Sequence, residues 1–385
     1  MPRVIVGLSG GVDSSVTAWL LKEQGYEVIG VFMHNCNNAE QECSRREDST
    51  DAMFVAQQLG IPFHILDMSE MYEKRIIEYM FQEYANGRTP NPDILCNREI
   101  KFDFFFKKSL SLKADFIATG HYARREKLFK NHREISRLLA GIDHEKDQSY
   151  FLCQLNQEQL SKSLFPLGQL KKREVRKYAE KIGLITAHKK DSQGLCFVGK
   201  VKLPDFLKKK IKPQYGDIIK IPSNHVAFTE HKEETWSMMA KKTIYNRNCG
   251  KVIGNHPGAY YFTKGQRKGL RIGGQIERLF VIDTDIENNI VYVGMGKNHP
   301  GLYKRALFVK ENDIHWVRSD LALNNGKSLE VTCRIRYRQP LQRAFLHKVK
   351  IGLYTIFEQP QWAITEGQFV AWYLGEELIG SGIIS

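Results

Sequence analysis

The sequence predicts an α/β protein of three parts: an N-terminal domain on a parallel sheet, a small β-rich central domain, and a C-terminal antiparallel β-barrel. Three observations predict it. Strands alternate with amphipathic helices over residues 1–200, which implies a mostly parallel sheet covered on both faces. A Gly-rich turn joins the first strand to the first helix. From residue 201 onward the segments become short, β-branched and separated by Gly, Pro and Asn, the texture of antiparallel β structure. The boundaries read as 1–200, 201–278 and 279–385, with a polar stretch over 223–249 that looks like an inserted loop or hairpin.

The first element is a strand over Arg3–Leu8, and the turn Ser9–Gly11 follows. The next segment places Val12, Val16 and Leu20 on one helical face. Tyr26–Met33 is a second strand, Ser49–Leu59 a helix ending at Gly60, and Ile61–Leu66 a third strand. Ala114–Ala118 is a short strand that ends in the turn Thr-Gly-His-Tyr. Later strands are Asp217–Ile221, Leu279–Asp283, Ile290–Gly294, Ser328–Tyr337 and Phe369–Trp372. In open parallel sheets ligands bind beyond the carboxyl ends of the strands, where the Ser9–Gly11 turn falls.

That turn has the chemistry of a phosphate site. Gly10 and Gly11 allow positive φ and close backbone approach. The successive N–H groups form a concave nest at the positive end of a helix. Ser9, Ser14 and Ser15 add hydroxyl donors, and Asp13 is placed either to orient Mg²⁺ or to cap the helix. The plain alternative is a Gly turn with a Ser or Asp cap. The string is not a Walker A loop, since no G-x-x-x-x-G-K-[ST] is present. The full SGGVDS run resembles the pyrophosphate loop of the adenosine-nucleotide α-hydrolase (PP-loop) superfamily. That resemblance implies cleavage of ATP to AMP and pyrophosphate with adenylation of a substrate oxygen.

Two of the seven cysteines stand out. Cys96 ends the run Thr89-Pro90-Asn91-Pro92-Asp93-Ile94-Leu95, which reads as a stiff, extended loop. Asp93 lies three residues before it, and Arg98 and Lys101 follow. Cys196 lies in a Gly-bearing stretch flanked by Lys189, Lys190 and Lys200. Nearby positive charge favours the nucleophilic thiolate. Cys153, Cys249 and Cys333 read as inert thiols; Cys36 and Cys43 could bind a metal, but no second pair has zinc-site spacing.

Lys and Arg number 57 against 43 acidic residues, a net +14, which favours a polyanionic partner. Residues 171–212 hold 14 Lys/Arg against 4 Asp/Glu. Arg334, Arg336 and Arg338 alternate along a predicted strand, so period-2 spacing puts them on one face. No apolar run reaches the ~20 residues that span a bilayer. The odd cysteine count without an export signal argues against a disulfide framework and for a reducing cytoplasm. A monomer that needs no membrane is expected.

The segments GLSGGVDSSV, NGRTPNPDILCNREIKF, ATGHYAR, KDQSYFL, KKDSQGLCFVG, YYFTKGQRKGL and RIRYRQP, in this order, closely resemble the MnmA/TrmU family of tRNA-specific 2-thiouridylases. The resemblance spans nearly the whole chain. It implies ATP-dependent 2-thiolation of the wobble uridine in tRNAs for Lys, Glu and Gln. Cys196 would carry a persulfide from a sulfur-donor protein, Cys96 would be the partner thiol that closes a disulfide with it, and Asp93 would be the acid/base. Gly7, Leu8, Ser9, Gly10, Gly11, Val12, Asp13, Ser14, Met33 and Gly120 match ATP-contacting positions, with Mg²⁺ as the accompanying ion. Asn91, Pro92, Asp93, His121, Lys146, Asp147, Gln148, Arg336, Tyr337 and Gln368 match tRNA-contacting positions. The chain departs from the common pattern at Asn35-Cys36, where many relatives carry Asn-Trp, and in the length of the 223–249 stretch.

Other classes predict other features. A PP-loop ligase or amidase needs an ammonia source and no cysteine pair, and no glutaminase-like segment is present. A 2-thiocytidine-type enzyme would need clustered C-x-x-C motifs. A non-catalytic tRNA-binding relative would have no reason to keep Cys96, Cys196, Asp93 and the phosphate turn together.

Overall fold

The computed structural model describes residues 1–35, 39–191, 203–208, 210–229 and 235–385, the side chains of 39–45, 203 and 229 excepted. Cys36, Cys196 and the Cys43 side chain lie outside the described residues.

The N-terminal sheet is built from β1 (Arg3–Gly7), β2 (Glu27–His34), β3 (Phe63–Asp67), β4 (Phe116–Ala118) and β7 (Ser163–Leu164). Their order is β3-β2-β1-β4-β7, with every pairing parallel. Val4, Ile5 and Val6 of β1 are buried, as a central strand covered on both faces requires. The helix α1 (Val12–Glu23) covers one face through Val12, Val16, Ala18 and Leu21. The helix α2 (Ala39–Leu59) starts ten residues before the predicted Ser49 and adds Ala52, Val55 and Ala56 to the same core. Two chain directions diverge at β1: β2 and β3 lie to one side, β4 and β7 to the other. The C-terminal ends of β1 and β4 therefore form the switch point at which such sheets bind ligands.

The central sheet runs β10 (Leu279–Asp285), β11 (Ile290–Met295), β8 (Gly216–Lys220), β9 (Lys251–His256), so the boundary expected at 278/279 falls too early: β10 and β11 pair within the central sheet and the barrel begins after them. It is mixed rather than antiparallel throughout, because β8 and β11 pair in parallel across a long connection. Within the inserted stretch, a short helix over Trp236–Ala240 docks on the barrel, with the Trp236 ring 3.9 Å from that of His347.

The barrel strands are β12 (Tyr303–Trp316), β13 (Ser328–Arg334), β14 (Gln342–Val349), β15 (Gly352–Trp362), β16 (Phe369–Leu374) and β17 (Glu377–Ile384). They follow the order β12-β15-β14-β13-β16-β17, and β17 pairs back to β12, closing the barrel. Closure pairs each of the six barrel strands on both sides. A hairpin from the N-terminal domain, β5 (Ala123–Lys130) and β6 (Arg133–Ala140), extends this sheet through Leu378↔Leu138. The Glu377 carboxylate, nearly buried, fixes that join by accepting from Arg137 at 2.8 Å and from Arg318. A hairpin of the first domain and the strands of the third thus share one continuous sheet.

The predicted arginine stripe does not form. Strand β13 ends at Arg334, and the chain turns through 335–338 with Arg338 at φ +63°. Arg334 is buried against Asp147 at 3.1 Å, whereas Arg336 lies over the Trp362 ring and Arg338 over the Tyr337 ring.

Candidate active site

The turn after β1 is a preorganised nest. Gly10 has φ +71°, and a Cβ there would lie 2.1 Å from the Asp48 carbonyl oxygen, so α2 closes on the turn and only glycine fits. The Ser14 hydroxyl donates to the Gly11 carbonyl at 3.1 Å and accepts from the Ser9 amide at 3.1 Å. Ser9 and Ser14 hydroxyls are also 3.1 Å apart. These bonds hold the serines at the mouth of α1, whose first N–H groups face outward. Leu8 and Val12 anchor the turn as buried apolar residues on either side. Gly7 lies against Met33, with 3.0 Å between a would-be Cβ and the methionine methyl. Gly120, after β4, would bring a Cβ to 3.0 Å from the Asp13 carbonyl carbon and the Ser14 amide. All ten residues assigned to ATP thus converge at the switch point.

Asp13 does not cap the helix; its partly exposed carboxylate is tied to two side chains instead. The cap position is Gly11, with no side-chain cap bond. Both Asp13 oxygens accept from Lys172 Nζ, at 2.7 and 2.8 Å, and Oδ1 also accepts from Tyr122 at 2.7 Å. Lys172 opens the helix α3 (Lys172–Lys181) and reaches Asp191 at 2.8 Å as well. Asp191 also meets Lys146 at 2.7 Å and Arg176 at 2.8 Å. Burial pushes its pKa up, but bonds from Lys146 and Lys172 outweigh that and hold it at about 2. Burial, then the Asp13 charge, pushes the Tyr122 phenol far above its ordinary value, so it stays a donor. No group of three or more His, Cys, Asp or Glu side chains among the described residues converges on a metal site. With Lys172 on both its oxygens, Asp13 does not present a Mg²⁺ ligand in this arrangement.

The Cys96 segment is extended only as far as Asn91; from Pro92 it is helical rather than a loop. Pro92 occupies the first helical position, where its missing N–H costs nothing, and Asn91 Oδ1 accepts the Ile94 amide at 3.2 Å. The short helix Pro92–Leu95 continues into a wider-turned helix, Cys96–Phe105. Asp93 is partly exposed, while Cys96 is fully buried. The second helix reaches the end of β1: Phe105 comes to 3.9 Å of the Gly7 position, and the Phe102 ring lies 6.1 Å from that of His121. The cysteine segment therefore shares a core with Ile5 and Met33, on the face of the sheet opposite the Leu8 and Val12 that anchor the turn.

His121 is buried between Phe102 and Phe165 and shares a 2.7 Å hydrogen bond with Thr119. Burial, aided by the Lys101 charge, holds it well below its ordinary pKa, so it is a neutral imidazole. Asp147 is buried and accepts from the Gly141 and Ser149 amides at 3.1 and 3.0 Å, while Gln148 accepts from the Tyr122 amide at 3.0 Å. Gln148 thus holds the residue just before β5, and Asp147 the residue just after β6. Tyr337 packs on Phe151, ring centroids 4.4 Å apart, which joins the KDQSYFL and RIRYRQP motifs. Gln368 donates to the Thr89 carbonyl at 2.9 Å and the Pro90 carbonyl at 3.2 Å, and accepts from Asn91 at 3.4 Å. Sequence reasoning missed Lys172 and Tyr122 as neighbours of Asp13. Lys172 lies in the basic run already noted, but nothing local marks it among its neighbours.

Three family descriptions match in order: a tRNA methyl transferase HUP domain over residues 2–200, a tRNA methyl transferase PRC-barrel domain over 234–295, and an aminomethyltransferase β-barrel domain over 306–384. The chain is 58% identical to the tRNA-specific 2-thiouridylase MnmA of Christiangramia forsetii, over 100% of both chains. It is 56% identical to that of Flavobacterium johnsoniae, again over 100% of both. Among solved structures, the U34-tRNA thiolase NcsA from Methanococcus maripaludis, described with its [4Fe-4S] cluster, aligns over 54% of this chain and 63% of that one, at 21% identity and TM-score 0.33. With full-length identity well above half and the three domains in sequence, the chain belongs to the family of tRNA-specific 2-thiouridylases, which are tRNA-modifying sulfurtransferase enzymes.

Proposed function

We propose that this enzyme replaces the 2-oxygen of the wobble uridine with sulfur in tRNAs for Lys, Glu and Gln, using ATP and a persulfide carried by Cys196. The observation that carries the reading is that the helix running on from Cys96 reaches the end of β1, where Phe105 comes to 3.9 Å of the Gly7 position that opens the Gly7–Ser14 turn. A carbonyl oxygen is a poor leaving group, and adenylation makes it a good one. The nest and its serine hydroxyls supply donors for the polyphosphate. The Cys196 persulfide would attack C2 and expel AMP. The Cys96 thiolate would then attack the Cys196 sulfur, leaving sulfur on the base and a Cys96–Cys196 disulfide. Each turnover then needs a two-electron reductant and fresh sulfur from a donor protein. Asp93, on the exposed side of its helix turn, is suited to move the proton.

Burial of Cys96 adds a condition to this reading: the thiol must be uncovered once tRNA and the sulfur-carrying segment are in place. The test is in vitro sulfur transfer to wobble-uridine tRNA transcripts with ATP, Mg²⁺ and a persulfide source. Wild type should yield thiolated uridine and AMP, with thiolation lost in Cys96→Ser and in Cys196→Ser. Release of AMP without thiolated tRNA, given a competent donor, would keep ATP and remove the substrate assignment.

A further inference from the structure

The segment that leads into the Cys96 helix is held from outside its own domain. Thr89 donates its amide to the Glu366 carbonyl at 2.9 Å and its carbonyl accepts from Gln368 at 2.9 Å. Its hydroxyl lies 3.3 Å from that of Thr263 in the central domain. Gly367, at φ +88°, makes the close approach possible, since a Cβ there would sit 3.0 Å from the Thr89 backbone. Thr89 is therefore bound through both its backbone groups to one turn of the barrel. That turn is in turn fixed by charge. The Glu366 carboxylate pairs with Lys264 at 2.9 Å, and Lys264 also meets Asp283 of β10 at 3.4 Å. The Lys264 side chain is only 10% exposed. A cleft of about 340 Å³ opens beside it, lined by Thr89, Thr263, Lys264, Gln266, Arg336 and Gln368 among others.

A buried ammonium between carboxylates of two domains gains little stability over an apolar filling, because both charges lose their water. Its return is geometric: it fixes one register between the domains it joins. We propose that Lys264, acting through Glu366, is a positioning residue for the segment carrying Asp93 and Cys96. The central and C-terminal domains thereby set the geometry of chemistry performed on the N-terminal one. Two residues of the TKGQ motif act on that segment together, since Thr263 touches Thr89 and Lys264 holds the turn that binds it. The inference rests on the reading of Asp93 and Cys96 as reacting groups.

The test uses the full-length enzyme with Lys264→Met, Lys264→Arg and Glu366→Gln. Glu366→Gln keeps the backbone carbonyl that binds Thr89 and serves if Lys264→Met fails to fold. The expected result is a fall in kcat of at least ten-fold with KM for tRNA and affinity for ATP within three-fold of wild type. Amide exchange over residues 89–96 should accelerate while exchange in β1 and α1 stays at wild-type rates. Lys264→Arg should recover kcat to within three-fold. Wild-type kcat and wild-type exchange over 89–96 in a folded charge-removing variant would overturn the inference, as would exchange accelerated uniformly across the protein. Retained thiolation in both Cys96→Ser and Asp93→Asn would instead remove the reading beneath it.

Discussion

Lys172 Nζ bridges the two carboxylate oxygens of Asp13 at 2.7 and 2.8 Å, across 159 positions of sequence. A carboxylate in the first turn of α1 suits the helix dipole but repels an anionic polyphosphate in the nest beside it. Lys172 cancels that charge where it matters. Lys172→Met is expected to weaken ATP about ten-fold or more, which is ~1.4 kcal/mol or above, while tRNA affinity holds. Lys172→Arg should recover part of it. Calorimetric titration of each variant with ATP and with tRNA decides the matter. Equal losses for both ligands would mean that Lys172 only supports the fold.

The two glycines at the nest should differ in kind. Gly10→Ala meets both a positive φ, costing about 1–2 kcal/mol, and the Asp48 carbonyl at 2.1 Å. It is expected to displace α2 and lower Tm by several degrees as well as abolish ATP binding. Gly120→Ala meets contacts at 3.0 Å with no positive φ. It should fold and bind ATP weakly, because a small shift moves the first turn of α1. A Gly120→Ala enzyme with wild-type ATP affinity would show that this approach does not shape the site.

Much of this arrangement could be read from local pattern and some could not. Val4–Val6 as a continuous apolar run and SGGVDS after it place the sheet and the nest, because a buried parallel strand and an anion turn have local signatures. Cys96 misled: two prolines suggested an extended loop, yet Pro92 at a helix start with Asn91 as cap makes a helix. The arginine stripe failed because alternation alone does not say where a strand stops, and the turn at Arg338 stops it. The hairpin β5–β6 joining the barrel, and Lys264 joining Asp283 to Glu366, are pairings between distant segments. No periodicity encodes them.

The described cysteines should separate by reactivity. Cys96, Cys153 and Cys333 are fully buried, and burial pushes the Cys153 thiol up to about 12 and the Cys333 thiol higher. Cys249 is partly exposed. Iodoacetamide at neutral pH and without tRNA should label Cys249 well before these three, as read by peptide mass spectrometry. Adding tRNA and ATP should raise labelling at Cys96 alone among the three. Rapid labelling of Cys96 in the free enzyme would mean that the thiol needs no uncovering.

Lys304 offers a pH test of the domain junction. Burial, then the charge on Lys264, lowers its pKa from 10.5 to about 8, against the opposing pull of Glu366 and Asp283. Below pH 8 the group is charged both folded and unfolded, so the folded state carries the full penalty of the buried charge. Between pH 8 and 10.5 the folded state sheds its proton first, and that penalty is relieved. Lys304→Met, which fills the same space without charge, is therefore expected to raise Tm at pH 7. Its advantage over wild type should shrink as pH rises from 8 to 10.5. A Lys304→Met protein that melts below wild type at pH 7 would show that attraction to Glu366 and Asp283 outweighs the lost hydration, and that the ammonium is a stabilising part of the junction.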